Sequence, residues 1–175
     1  MADREIFCYG NPVLRRKAKE VKRLDRQLQR LIKTMFSTMY QAKGIGLAAP
    51  QIGLSQQIIV VDTQEGKNQK LALINPRITA CSADDVDTKK EGCLSVPEIE
   101  GQVTRPCCIQ LVGLTADGQE VQVEAEGLLA RVIQHEIDHL NGILFVDRIQ
   151  GMDREILEGP LKDLALKHGA GSGRK

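Results

Sequence analysis

His135-Glu136-Ile137-Asp138-His139 places two imidazoles four positions apart, with a carboxylate directly after the first. On an α-helix, positions i and i+4 project from one face, so both rings converge on a single divalent cation. Glu136 then stands beside that cation, where a carboxylate manages the proton of a bound water. Two solvated histidines on a surface helix are the competing reading of these five residues.

A catalytic site of this kind takes three protein ligands and keeps one position for water, so a third ligand must come from elsewhere. The extended pattern with a third histidine has its glycine here, Gly142, but Phe145 stands where that histidine would be. His168 lies near the C-terminus and reads as solvated. Glu155 and Glu158, on a following helix, would complete the arrangement of another class of zinc endopeptidase, and both also read as ordinary solvated residues. Cys93, within Glu91-Gly92-Cys93-Leu94-Ser95-Val96-Pro97, is the remaining option. Gly92 removes bulk beside the thiol and Pro97 fixes the following turn, which would present the sulfur at a rigid bend. A buried structural cysteine is the alternative there.

The chain that positions these groups has 175 residues, enough for one domain with a full core. A single catalytic domain over residues 1–168 is expected, followed by a glycine-rich disordered tail at 169–175. Hydrophobic content of 42% and charged content of 27% are ordinary for a globular protein. A net charge of +1 gives no general attraction to nucleic acid or membrane, so no direct binding to either is expected. The N-terminus lacks a secretory signal, and no apolar run approaches a membrane span. The expected location is the bacterial cytoplasm, or an organelle stroma or matrix if a transit segment has been removed. Cys8, Cys81, Cys93, Cys107 and Cys108 are odd in number and contain no C-x-x-C pair, which points to a reducing compartment.

Asp25 is placed to cap a helix whose apolar residues Leu28, Leu31, Ile32, Met35, Phe36 and Met39 follow the 3.6 period, ending before Gly44. The small residues and proline of 44–51 predict a close-packed loop. Strands are expected at 57–62, at 71–75 ending before Pro76, and at 107–115 and 120–126 as a hairpin around Asp117-Gly118. Helical spacing returns from 127 to about 140, and a final amphipathic helix spans 153–167 with a break or kink at Gly159-Pro160. The fold class is α+β: a mixed or antiparallel sheet packed around a central metal-binding helix.

Three segments, G-I-G-L-A-A-P-Q at 44–51, E-G-C-L-S at 91–95 and Q-H-E-I-D-H at 134–139, resemble the peptide deformylases in order and separation. The resemblance implies removal of the N-formyl group from formylmethionyl ends of nascent polypeptides, releasing formate. It further implies Cys93, His135 and His139 as metal ligands and Glu136 as the catalytic acid/base. Gln51 and the Leu94 N–H are then the donors to the formyl oxygen. The physical chemistry is consistent: a metal-bound water attacks the formyl carbon while Glu136 takes its proton and passes it to the leaving amine. The cofactor implied is one divalent metal ion, Fe2+ in the cell, with Zn2+, Ni2+ or Co2+ able to occupy the site. Iron and thiolate both oxidise, so air should inactivate an iron-loaded sample. Ribosome association is expected by family analogy alone.

For the methionine side chain, Leu128 and Val132 precede His135 on the same helical stripe, and Ile45 is available from the glycine-containing segment. Gly44 and Gly46 would let the substrate backbone approach closely. Arg131 is expected to make the pocket rim cationic, and Glu100 to alter the peptide-side contacts. Arg105 is expected to pair with Glu91, Asp138 or both, bracing the Cys93 loop against the helix. Two other readings are a zinc endopeptidase using His135, His139 and a distal glutamate, and a non-enzymatic module in which a fourth protein ligand closes a structural metal site.

Overall fold

A computed structural model of the protein describes residues 4–65 and 70–168, and the backbone of 173–174. Nine strands are assigned: β1 (Ile6–Phe7), β2 (Gly46–Ala48), β3 (Ile58–Val61), β4 (Leu71–Cys81), β5 (Val86–Cys93), β6 (Val96–Pro106), β7 (Cys108–Leu114), β8 (Glu120–Glu126) and β9 (Gly173–Arg174). Three α-helices accompany them: α1 (Arg26–Gln41), α2 (Gly127–Leu140) and α3 (Met152–His168). The main sheet is antiparallel throughout in the order β2-β3-β4-β7-β8, while β5 and β6 form a separate ribbon.

At β2, β3 and the start of β4 the sheet is buried on both faces, whereas β7 and β8 expose one face. Leu47, Ile58, Val60 and Ile74 pack with Leu28, Ile32, Met35 and Met39 of α1. Their neighbours Ala48, Ile59, Val61 and Leu73 pack with Ala130, Val132, Ile133 and Leu140 of α2. A strand covered on two sides has no polar face to show, which explains the unbroken apolar run of β3. A third cluster joins Val96, Ile99 and Val103 of β6 to Leu144, Phe145 and Leu161. Asp25 starts α1 by accepting from the N–H groups of Gln27 and Leu28 at 2.9 and 3.0 Å, a cap worth about 1 kcal/mol.

Several elements differ from the sequence expectation. Residues 46–48, expected in a loop, add an edge strand to β3, and Ala49–Ile52 follows as a 3-10 turn. β4 does not stop at Pro76 but continues to Cys81. Register shifts between Ile74 and Arg77, with Asn75 at φ 52°, place the proline in an irregularity where its missing N–H breaks no regular ladder. The β5–β6 ribbon was not expected at all. α3 runs through Gly159-Pro160, and both residues are exposed, so water can serve the carbonyl that loses its partner. Its amphipathicity is weak: only Leu161 and His168 are buried, whereas Met152, Ile156 and Leu166 are largely exposed. His168, expected in solvent, is buried at the end of α3. Of the tail, 169–172 and 175 lie outside the described residues, and the backbone of 173–174 pairs with Ile6–Phe7. No helix among the described residues is long and apolar enough to cross a membrane.

Candidate metal centre

α2 carries the two histidines against the sheet, and its approach to β2 depends on Gly46. A Cβ there would overlap Glu136 Oε1 and sit 2.7 Å from Val132 Cγ1, so only glycine admits the carboxylate at this place. Cys93 comes from the end of β5. Pairing jumps from Gly92↔Glu100 to Cys93↔Val96, leaving residues 97–99 as a bulge with Glu98 at φ 65°. This irregularity brings Cys93 Sγ to 3.2 Å from His139 Nε2.

Among the described residues, Cys93, His135 and His139 form the one group whose ligand atoms all lie within 4.8 Å of one another. A soft thiolate with two imidazoles suits iron or zinc, and three protein donors leave a coordination position open. Glu155 and Glu158 are exposed on α3 and join no such group, which removes the distal-glutamate arrangement. A closed structural site lacks its fourth donor in the same group.

The electrostatics favour a cation. Burial pulls His135 down, yet its hydrogen bonds with Cys93 and Glu91 outweigh this and push its pKa up to about 10, so the cluster attracts positive charge. His139 is held well below the ordinary histidine range by burial and by the neighbouring positive charges of His135 and Arg105, which keeps it a neutral donor. Burial pushes Glu136 up to about 7, placing its proton near neutrality, and its Oε2 is buried without a partner among the described residues. Glu91 shows the opposite outcome. Burial would raise it, but hydrogen bonds from Arg105 and His135 hold it at about 2, a permanent carboxylate. His135 Nδ1 lies 3.0 Å from Glu91 Oε2 and must donate to it, which leaves Nε2 for the ligand group.

Arg105 bridges ribbon and helix. It donates to Glu91 through Nε at 2.6 Å and Nη2 at 2.9 Å, and to Asp138 Oδ2 through Nη1 at 2.8 Å. Arg148, which sequence reasoning missed, adds a second cation on Asp138. Arg131 borders the cleft as expected, but it does not make the rim cationic: its guanidinium is buried and engaged by Glu91 and by backbone carbonyls of the ribbon.

The centre opens into a cleft of about 810 Å³, lined in part by Gly44, Ile45, Gly46, Leu94, Leu128 and Val132. Lys90 and Glu100 form an exposed ion pair at its edge. Gln51 reaches the cleft with only 1% of its surface exposed, and its amide is fixed at both ends. Oε1 accepts from Ala48 N–H at 2.7 Å, while Nε2 donates to Ser95 Oγ at 3.2 Å and faces Cys93 Sγ at 3.6 Å. Ser95 is a second residue missed earlier; its only sequence signal is its place in the E-G-C-L-S segment. The Leu94 N–H takes no acceptor among the described residues.

A cysteine and two histidines able to share one cation beside a buried carboxylate, at the joint of a helix and an antiparallel ribbon, are the donor set of a metallohydrolase. Residues 3–155 match the polypeptide deformylase family model. A peptide deformylase of Natranaerobius thermophilus is 50% identical over 155 residues, covering 89% of this chain and 97% of the relative. That of Halothermothrix orenii is 51% identical over 153 residues, covering 87% and 97%. Among solved structures, a peptide deformylase from Legionella pneumophila superposes with a TM-score of 0.86 at 38% identity, covering 98% of this chain and all of that one. One from Synechococcus elongatus, in complex with actinonin, gives 0.80 at 41% identity, covering 95% and 86%. The chain belongs to the peptide deformylase family, metal-dependent hydrolases that remove the formyl group from new polypeptides.

Proposed function

We propose that Cys93, His135 and His139 hold one divalent cation, ferrous iron in the cell, and that Glu136 carries the proton in hydrolysis of the formyl-methionyl amide. The carrying observation is the convergence of a ribbon thiol and two helix imidazoles beside a buried, unpartnered carboxylate oxygen. When bound, the cation supplies Lewis acidity to the formyl oxygen and to the attacking water. Glu136 takes a proton from that water as its oxygen adds to the formyl carbon. It returns the proton to the amine as the carbon–nitrogen bond breaks, yielding formate and a free amino terminus. Gln51 Nε2 and the Leu94 N–H are fixed donors for the oxygen on which negative charge develops.

The methionine side chain enters the apolar part of the cleft at Ile45, Leu128 and Val132, and Gly44 and Gly46 admit the peptide backbone. Residues 1–168 act as one catalytic domain, working in the bacterial cytoplasm or an organelle stroma or matrix. There the enzyme meets nascent chains at the ribosome. The test is to purify the protein without oxygen and assay formyl-Met-Ala-Ser beside blocked internal peptides, with Cys93→Ser in parallel. Formate release without internal cleavage, lost together with metal in C93S, supports the reading. Cleavage of internal peptides, or full activity in C93S, overturns it.

A further inference from the structure

Cys93 and the histidines stand on two separate bodies, the β5–β6 ribbon and α2. Metal–ligand distances tolerate only about 0.2 Å of error, so the seam between these bodies must be fixed independently of the cation. Arg131 lies in that seam, one turn before His135. Its Nη1 donates to Glu91 Oε1 at 2.7 Å and to the Val103 carbonyl at 2.9 Å, and its Nη2 donates to the Asp87 carbonyl at 2.7 Å. One side chain of the helix therefore grips both strands of the ribbon. It borders the cleft but is only 7% exposed, and its guanidinium is spent on the ribbon.

Glu91 links this grip to the centre. Its Oε1 accepts from Arg105 Nε at 2.6 Å as well as from Arg131, while its Oε2 accepts from Arg105 Nη2 at 2.9 Å and from His135 Nδ1 at 3.0 Å. With four donors the carboxylate cannot rotate without breaking a bond, and its position sets the His135 ring. Arg105 alone would leave the Val103 and Asp87 carbonyls without this tie to the helix.

We propose that Arg131 is a positioning residue of the metal centre: it locks the ribbon to α2, sets Cys93 against the two histidines, and steadies Glu91 behind His135. The inference rests on the three-ligand reading above and assigns Arg131 no contact with substrate. Its planar fork matters, because a lysine ammonium cannot reach both strands and the carboxylate with the same geometry.

The experiment uses the full chain as wild type, Arg131→Met and Arg131→Lys, with Co2+ as the probe. Three quantities are read: Co2+ affinity by chelator competition, the thiolate–cobalt absorption band, and KM for formyl-Met-Ala-Ser at saturating Co2+. R131M is expected to bind Co2+ about tenfold more weakly or worse, with a shifted band, while KM stays within about twofold. R131K is expected to fall between. Unchanged affinity and band in R131M overturn the proposal, as does a raised KM at unchanged affinity. If R131M does not fold, R131K decides: weakened Co2+ binding with unchanged KM supports the proposal, and wild-type affinity overturns it. A wild-type protein lacking the thiolate–cobalt band overturns the ligand assignment itself and this inference with it. Wild-type protein that shows the band but releases no formate overturns only the proposed activity.

Discussion

Gly46 and Glu136 touch where β2 crosses α2: the hydrogen on Gly46 occupies space that a methyl group would contest with Glu136 Oε1. Gly46→Ala is therefore expected to displace the carboxylate while leaving Cys93, His135 and His139 in place. A displacement of about 1 Å costs on the order of 100-fold in rate. The check is kcat beside metal content, and a fully metallated variant with wild-type kcat would refute the steric argument.

Gln51 is held by Ala48 N–H at one end, and at the other its Nε2 donates to Ser95 Oγ and reaches the Cys93 sulfur beside the cleft. In the proposed mechanism Nε2 turns to the developing oxyanion, so replacing Gln51 by alanine is expected to cost about 3 kcal/mol, or roughly 100-fold in kcat. Steady-state kinetics at saturating metal should show the loss in kcat more than in KM. A change confined to KM would mean that Gln51 only binds the ground state.

Arg105 is 3% exposed and neutralises two buried carboxylates at once. Arg105→Met leaves Glu91 with Arg131 and His135, and Asp138 with Arg148, and breaking buried pairs on one side typically costs about 3 to 5 kcal/mol. We expect the lower end of that range because each carboxylate keeps a partner. Urea unfolding of the metal-free protein measures it, and a midpoint equal to wild type would show that the bridge adds nothing to stability.

Tyr40 donates its hydroxyl to Asp62 at 2.5 Å, and partial desolvation together with that bond raises the phenol from 10.0 to about 12. The folded pKa lies above the unfolded one, so the fold favours the protonated phenol. Its contribution to stability is complete below pH 10 and is lost as pH rises through 12. Subtracting the alkaline ultraviolet titration of Tyr40→Phe from that of wild type should isolate a phenolate appearing near pH 12. Appearance near pH 10 would show that the Asp62 contact is absent in solution.

Much of the site was legible because its groups declare themselves locally. The spacing of His135 and His139 specifies one helical face, and Asp25 ahead of a 3.6-residue apolar pattern specifies where α1 begins. The β5–β6 ribbon was not legible. β5 is mostly exposed and charged and shows no buried alternation; β6 alternates from Ile99 to Arg105, but its inward positions include a glycine and an arginine, and Gly92, Pro97 and Gly101 read as breakers. Arg131 was misread for a related reason. Helical position places it beside a ligand and therefore near the cleft, but whether its guanidinium turns outward depends on Glu91 and on two carbonyls distant in sequence. The same holds for β4, where Pro76 signals a stop that a sheet irregularity removes.

The division of labour between the three ligands and Glu136 is tested most directly by measuring bound metal and formate release together in Glu136→Ala, purified without oxygen. Removal of a general acid–base group typically lowers turnover by about 100- to 10,000-fold. The prediction is one metal per chain, as in wild type, with formate release from formyl-Met-Ala-Ser reduced by at least the lower of those factors. A variant that holds its metal and still releases formate at the wild-type rate would contradict the account.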